Sequence, residues 1–157
     1  MLGVVGLCVQ GKAARLGASY SVPLMTTLDS SREPPPLELR ARSSEGSVTA
    51  VRTRMAEYAE AGGANRGDVE LAVAEAVSNA VVHGFEGRDD GAIIVRAEIK
   101  GARLMVEIAD FGSGITMHAK SPRGGFGLPI IGAVADSVEI WTGNRGTRLV
   151  LGFPRAA

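Results

Sequence analysis

ELAVAEAVSNAVVHGF, residues 70–85, decides how the rest of the chain is read. Val73, Val77, Ala80 and Val81 recur at helical spacing and predict one amphipathic helix. Ala72, Ala74 and Ala76 keep that helix slim enough for close packing. Glu75 and Asn79 stand four apart, so they lie one turn above the other on one face. Leu71 and Val82 flank the pair along that face and are expected to keep water from it. Asn79 offers a neutral oxygen of the kind Mg²⁺ accepts. Glu75 is placed to take a proton from a water or hydroxyl beside it. The plain alternative is a buried helix whose Glu and Asn cap or pair with neighbours. Gly84 ends the helix as a C-terminal glycine does.

The chain has 157 residues, enough for one domain with its own core. A hydrophobic share of 45% and a charged share of 22% place it among globular proteins. The formal net charge is zero, so nothing argues for nucleic acid or an anionic membrane as the main partner. Cys8 is the single cysteine, which excludes a disulfide framework and a cysteine metal site. No apolar run approaches the length of a membrane span.

Residues 1–35 are expected to be a flexible extension. LGVVGLCV is a short apolar run whose Lys and Arg come after it, a weak match to a signal peptide. A start at Met25 would account for the segment equally well. Residues 36–157 are expected to form the folded domain. LELRA (37–41) alternates as a strand. Ser47 is a candidate N-cap for a helix marked by Val48, Val51, Met55, Tyr58 and Ala59, which stops at Gly62-Gly63. Asn65 to Asp68 then restart the chain into the helix of Glu70, with Asp68 favourable in the first turn.

After the polar turn EGRDDG (86–91), AIIVRAEIK (92–100) and RLMVEIAD (103–110) read as a hairpin through Gly101-Ala102. The second strand runs into Asp110-Phe111-Gly112-Ser113-Gly114. A carboxylate at a strand end, followed by two glycines, permits close approach of a flat ligand. Gly124-Gly125-Phe126-Gly127-Leu128 opens a helix striped by Leu128, Ile131, Val134 and Ala135. A glycine-rich loop feeding a helix N-terminus suits an anion. It is not a GxxxxGK[ST] phosphate loop, since no such string occurs. SVEIWTG (137–143) and TRLVLGF (147–153) read as strands joined by Asn144-Arg145-Gly146. Taken singly, each of the two glycine segments reads better as an ordinary turn or connection.

In this order the segments resemble the GHKL-type, or Bergerat-fold, ATP-binding domains. EAVSNAVVHGF is similar to their N box, DFGSGI and GGFGLPII to their two glycine boxes, and GTRLVL to their last box. The likeness covers residues 37–154. Within the superfamily the chain looks most like the bacterial anti-sigma-factor serine/threonine kinases. The resemblance implies an α/β two-layer sandwich, with a mixed, mostly antiparallel sheet carrying helices on one face. It implies ATP and Mg²⁺ as cofactors, with Asn79 the metal ligand and Glu75 the general base. Asp110 would bind the adenine amino group, with Gly112 and Gly114 making room and Thr147 beneath the base. Residues 116–126 would be the ATP lid, with Arg123 at the phosphates. Gly125, Gly127 and Leu128 would bring N–H groups to them. His83 would support the helix end, and Met55, Tyr58 and Trp141 are left to the core.

The implied partners are a sigma factor, an anti-anti-sigma (STAS-type) protein as phosphoacceptor, and a second copy of the chain. The implied location is cytoplasmic, with no direct nucleic-acid or membrane contact. The lid is shorter than in many members of that family. This keeps open the alternative of a nucleotide-gated binding protein without significant kinase activity. A histidine kinase proper is disfavoured, because no helix pair with a phosphorylatable His precedes the domain.

Overall fold

The computed structural model describes residues 3–5, 33–85, 91–112 and 127–156. The period-2 segments become the strands β2 (Leu37–Arg42), β3 (Ala92–Lys100), β4 (Arg103–Asp110), β5 (Ser137–Gly143) and β6 (Gly146–Pro154). One further strand, β1 (Gly3–Val5), lies in the segment expected to be a flexible extension, and pairs with the edge of β5. It was not foreseen because three residues are too few for a periodicity to show.

Among the described residues the sheet runs β1-β5-β6-β4-β3-β2, and each of its pairings is antiparallel. Helix α3 (Gly127–Val134) carries the chain from β4 to β5. Those two strands run the same way but are kept apart by β6, so the parallel component of the expected mixed sheet never becomes a hydrogen-bonded pair.

Two longer helices complete the layer: α1 (Glu45–Ala61) and α2 (Arg66–Asn79). Helix α1 begins before the expected cap. Ser44, not Ser47, holds the extended N-cap backbone, and the two hydroxyls lie 2.9 Å apart. Helix α2 begins at Arg66, where the Asn65 side chain accepts the Asp68 N–H at 3.1 Å. That bond satisfies one of the free N–H groups of the first turn. After Asn79 the helix widens into one π-turn (Ala80–Gly84), so Gly84 ends it as the sequence indicates. Turns of this kind recur at functional sites.

All three helices lie on one face of the sheet. Ile93, Val95, Leu104, Val106, Leu151 and Phe153 point toward them and are buried. Val51, Met55, Val69, Val73 and Val77 meet them from α1 and α2. Met55 and Tyr58 thus belong to the core, as expected. Trp141 does not. Its register partner is Arg148, so strand alternation sends it to the helix-free face, where the guanidinium stacks 4.9 Å from its ring. Among the described residues no helix is long and apolar enough to cross a membrane.

Phe153 is 1% exposed and pairs with Leu104 across β4 and β6. Phe153→Ala is expected to cost about 3–5 kcal/mol through lost burial and the cavity left behind. Urea unfolding measures this, and a loss below about 1 kcal/mol would mean that the core is not built around β6.

Candidate functional site

The site forms where α2, α3 and the facing ends of β4 and β6 meet. Strand β4 ends on Asp110, which is buried and lies opposite Thr147 at the start of β6. Its Oδ1 accepts the N–H of Gly112 at 3.0 Å and the N–H of Thr147 at 3.2 Å. Two donors on one oxygen fix the plane of the carboxyl. Burial pushes its pKa up, while the two backbone donors and the Thr147 hydroxyl pull it back. Gly146 makes the approach possible. It sits at φ +117°, a region L side chains rarely adopt, and a Cβ there would run into the Asp110 carbonyl.

Above this floor Glu75 and Asn79 stand on α2, both half-buried. The sequence assigned their shielding to Leu71 and Val82, but these are 43% and 57% exposed. The cover comes instead from α3. Its first residue, Gly127, lies so close that an ideal Cβ would stand 2.7 Å from Asn79 Nδ2 and 3.3 Å from Glu75 Oε2. A side chain there would force the Asn79 carboxamide to shift.

Asp110 and Asn79 line one small cleft with Ala76, Ala80, Ile108 and Leu149, and Leu128 and Thr147 complete it. Its volume is about 20 Å³, room for about one water. At this volume the cleft must widen to admit a flat base. The donor set suits a purine: a fixed acceptor carboxyl at the edge, between apolar walls. A larger hollow of about 320 Å³ lies on the helix-free face of the sheet, away from these residues.

The fold therefore brings together Glu75, Asn79, Asp110, Gly112, Gly127, Leu128 and Thr147. Gly114, Arg123 and Gly125, with the rest of residues 116–126, lie outside the described residues, as does the His83 side chain. The sequence reading missed the walls. Ala76 and Ala80 follow Glu75 and Asn79 by one position each, while Ile108 and Leu149 stand two from Asp110 and Thr147 along their strands. Strand alternation was the available signal for the last two.

A layered α/β fold with a buried acceptor carboxyl and a glycine-started helix over a Glu/Asn pair defines a nucleotide-binding domain. The chain belongs to the histidine kinase-like ATPase domain family, which it matches over residues 40–153. It is similar to the anti-sigma F factor of Clostridium kluyveri, at 33% identity over 96 residues, covering 54% of this chain and 67% of that protein. The anti-sigma F factor of Clostridium beijerinckii is 34% identical over 97 residues, with the same coverage of 54% and 67%. Among solved structures, the RsbU and RsbW domains of a Mycobacterium tuberculosis protein superpose with a TM-score of 0.60 at 28% identity, covering 79% of this chain and 33% of that one.

Asp110→Asn tests the floor. The amide keeps an oxygen for Gly112 and Thr147 but removes the buried charge and alters the acceptor edge. Mg-ATP binding, read by calorimetry, is expected to weaken at least tenfold, about 1.4 kcal/mol. The melting temperature at pH 7 is expected not to fall. A carboxyl whose folded pKa is raised costs stability above that pKa and ceases to do so as pH falls through it. The gap in melting temperature between variant and wild type should therefore narrow on acidification. Unchanged nucleotide affinity would remove Asp110 from the site.

Proposed function

We propose that the chain is an ATP-dependent anti-sigma factor that binds a sigma factor. In this reading it also transfers the γ-phosphoryl group of ATP to a Ser or Thr of an anti-anti-sigma, STAS-type partner. Acting on a sigma factor would place it in the cytoplasm. The observation that carries the reading is the pairing of Glu75 and Asn79 under Gly127, beside the cleft that holds Asp110. The similarity to the two clostridial anti-sigma F factors supports the choice of partner.

Each residue then has a task. Asp110 accepts the adenine amino group, with Ile108, Leu149, Ala76 and Ala80 against the ring faces. Gly127 and Leu128, at the start of α3, offer N–H groups to the phosphates. The Asn79 carboxamide would hold Mg²⁺, which neutralises the phosphate charge when bound. Among the described residues no cluster of three His, Cys, Asp or Glu could hold a metal by itself. A cation that arrives with the nucleotide and takes one neutral ligand from the protein fits that donor set. Glu75 takes the proton of the acceptor hydroxyl as that oxygen bonds to the γ-phosphorus and ADP departs.

The helix-free face of the sheet supports the homodimer. Glu38, Arg96, Glu107 and Arg148 stand in that order across β2, β3, β4 and β6, alternating in sign. Arg96 bridges Glu38 at 2.8 Å and Glu107 at 3.1 Å, and Arg148 reaches Glu107 at 2.6 Å. Arg96 and Arg40 hold the Glu38 carboxyl below the usual carboxylate range. Burial raises the Glu107 pKa, but Arg148 and Arg96 more than offset it. A two-fold axis through this row sets each acid against a base of the second copy, the self-complementarity that an isologous interface requires.

Two measurements test these readings. Glu75→Ala is expected to lower phosphoryl transfer at least about 100-fold while leaving Mg-ATP affinity within about threefold. Transfer that survives the change would sink the assignment of the base, and a wild type that binds nucleotide without transfer would be a nucleotide-gated binder. Arg96→Glu puts three acids in a row, and sedimentation should show the wild-type dimer becoming a monomer. A monomeric wild type would end the dimer reading.

A further inference from the structure

Helix α3, GLPIIGAV, carries no polar side chain. A helix apolar on every side is normally buried. Here only Ile131 is fully so. Pro129 and Ala133 are exposed, and Ile130 and Val134 are half-buried. A side chain at Gly132 would meet open space.

Helix α2 shows the same mismatch beside Glu75. The large hydrophobic side chains exposed among the described residues are Leu71, Val82 and Phe111. Leu71 lies on α2 and Val82 on the π-turn that continues it, about three turns further on, so the two bound one outward ridge. Between them that ridge carries Ala74, Glu75 and Ser78. Phe111 follows Asp110 at the other end of the site. Scattered exposed hydrophobics need no explanation, but these border the two carboxyls of the candidate site and continue onto an apolar helix.

We infer that the ridge of α2 and the outer side of α3 seat the phosphoacceptor protein, with Leu71 and Val82 as its apolar anchors on either side of Glu75. The occupant is a protein surface that is apolar and uncharged around its target Ser or Thr. Charge decides this. From Leu71 to Val82 the only ionisable side chain is Glu75, and α3 has none. Among the described residues of these two faces, an anionic lipid surface or a nucleic acid would find no cation. The nucleotide is accounted for by the cleft on the inner side of α2. The inference rests on the reading of Glu75 as the base for a protein hydroxyl. It adds which surface delivers that hydroxyl and what the acceptor must look like.

Leu71→Gln and Val82→Gln, in the full chain, test it. Both side chains are exposed and glutamine suits a helix, so the fold is kept. The probes are the purified anti-anti-sigma proteins encoded in the source genome, with radiolabelled ATP. The acceptor KM is expected to rise at least tenfold in each variant. The kcat, Mg-ATP affinity and acceptor-independent ATP hydrolysis should stay as in the wild type. An unchanged KM overturns the assignment. Should the wild type bind Mg-ATP but transfer to none of these proteins, the kinase reading fails. The seat is then judged by calorimetric affinity for the same proteins: a tenfold loss in the variants sustains it, while equal affinity, or no binding by the wild type, overturns it.

Discussion

A single carboxyl oxygen, Oδ1 of Asp110, holds the end of β4, the chain leaving it, and the start of β6 in one place. Its two backbone donors come from residues 37 positions apart in one case and two in the other. The β4–β6 ladder runs out at that bond pair, with Asp110 opposite Thr147. Gly146 lies against the Asp110 carbonyl because it has no side chain to hold the two apart. Ile108 and Leu149 face the cleft because each is two residues along its strand from the anchored pair. The group that organises the floor is also buried, and that burial raises its pKa against the pull of its backbone donors.

Helix α2 divides its labour by face. Val69, Val73 and Val77 are fully buried, each stabilising the fold by about 1.5–3 kcal/mol relative to exposure. That anchoring keeps Glu75 and Asn79 in register with β4 and β6, so the pair stands on a rigid element. Ala76 and Ala80 serve both sides: they pack tightly and, being small, leave the cleft open. The change to a π-turn directly after Asn79 ends the regular α-helix where the paired residues end.

The helices and hairpins were legible because each has a local cause. Residues 70–84 carry a 3.6-residue stripe, and residues 92–110 and 137–153 carry alternation broken by turn residues. Asp110, Gly127 and Thr147 could be placed at one site because the family likeness orders them, not because anything local joins them. Two things could not be read and a third was misread. Leu71 and Val82 looked like shields, since periodicity shows a shared face but not what covers it. The row Glu38–Arg96–Glu107–Arg148 is spread over more than a hundred residues, and only strand register assembles it. Trp141 was left to the core by residue type, although its strand parity sends it outward.

Arg155 closes the fold. Its guanidinium donates to the carbonyls of Gly62 and Gly101 and pairs with Glu33 at 2.8 Å. Glu33, ahead of β2, and Arg155, just past β6, therefore meet at one corner, beside the α1–α2 turn and the β3–β4 turn. One side chain thus clasps four stretches of chain that are far apart in sequence, so the C-terminal end of β6 cannot fray without releasing both turns at once.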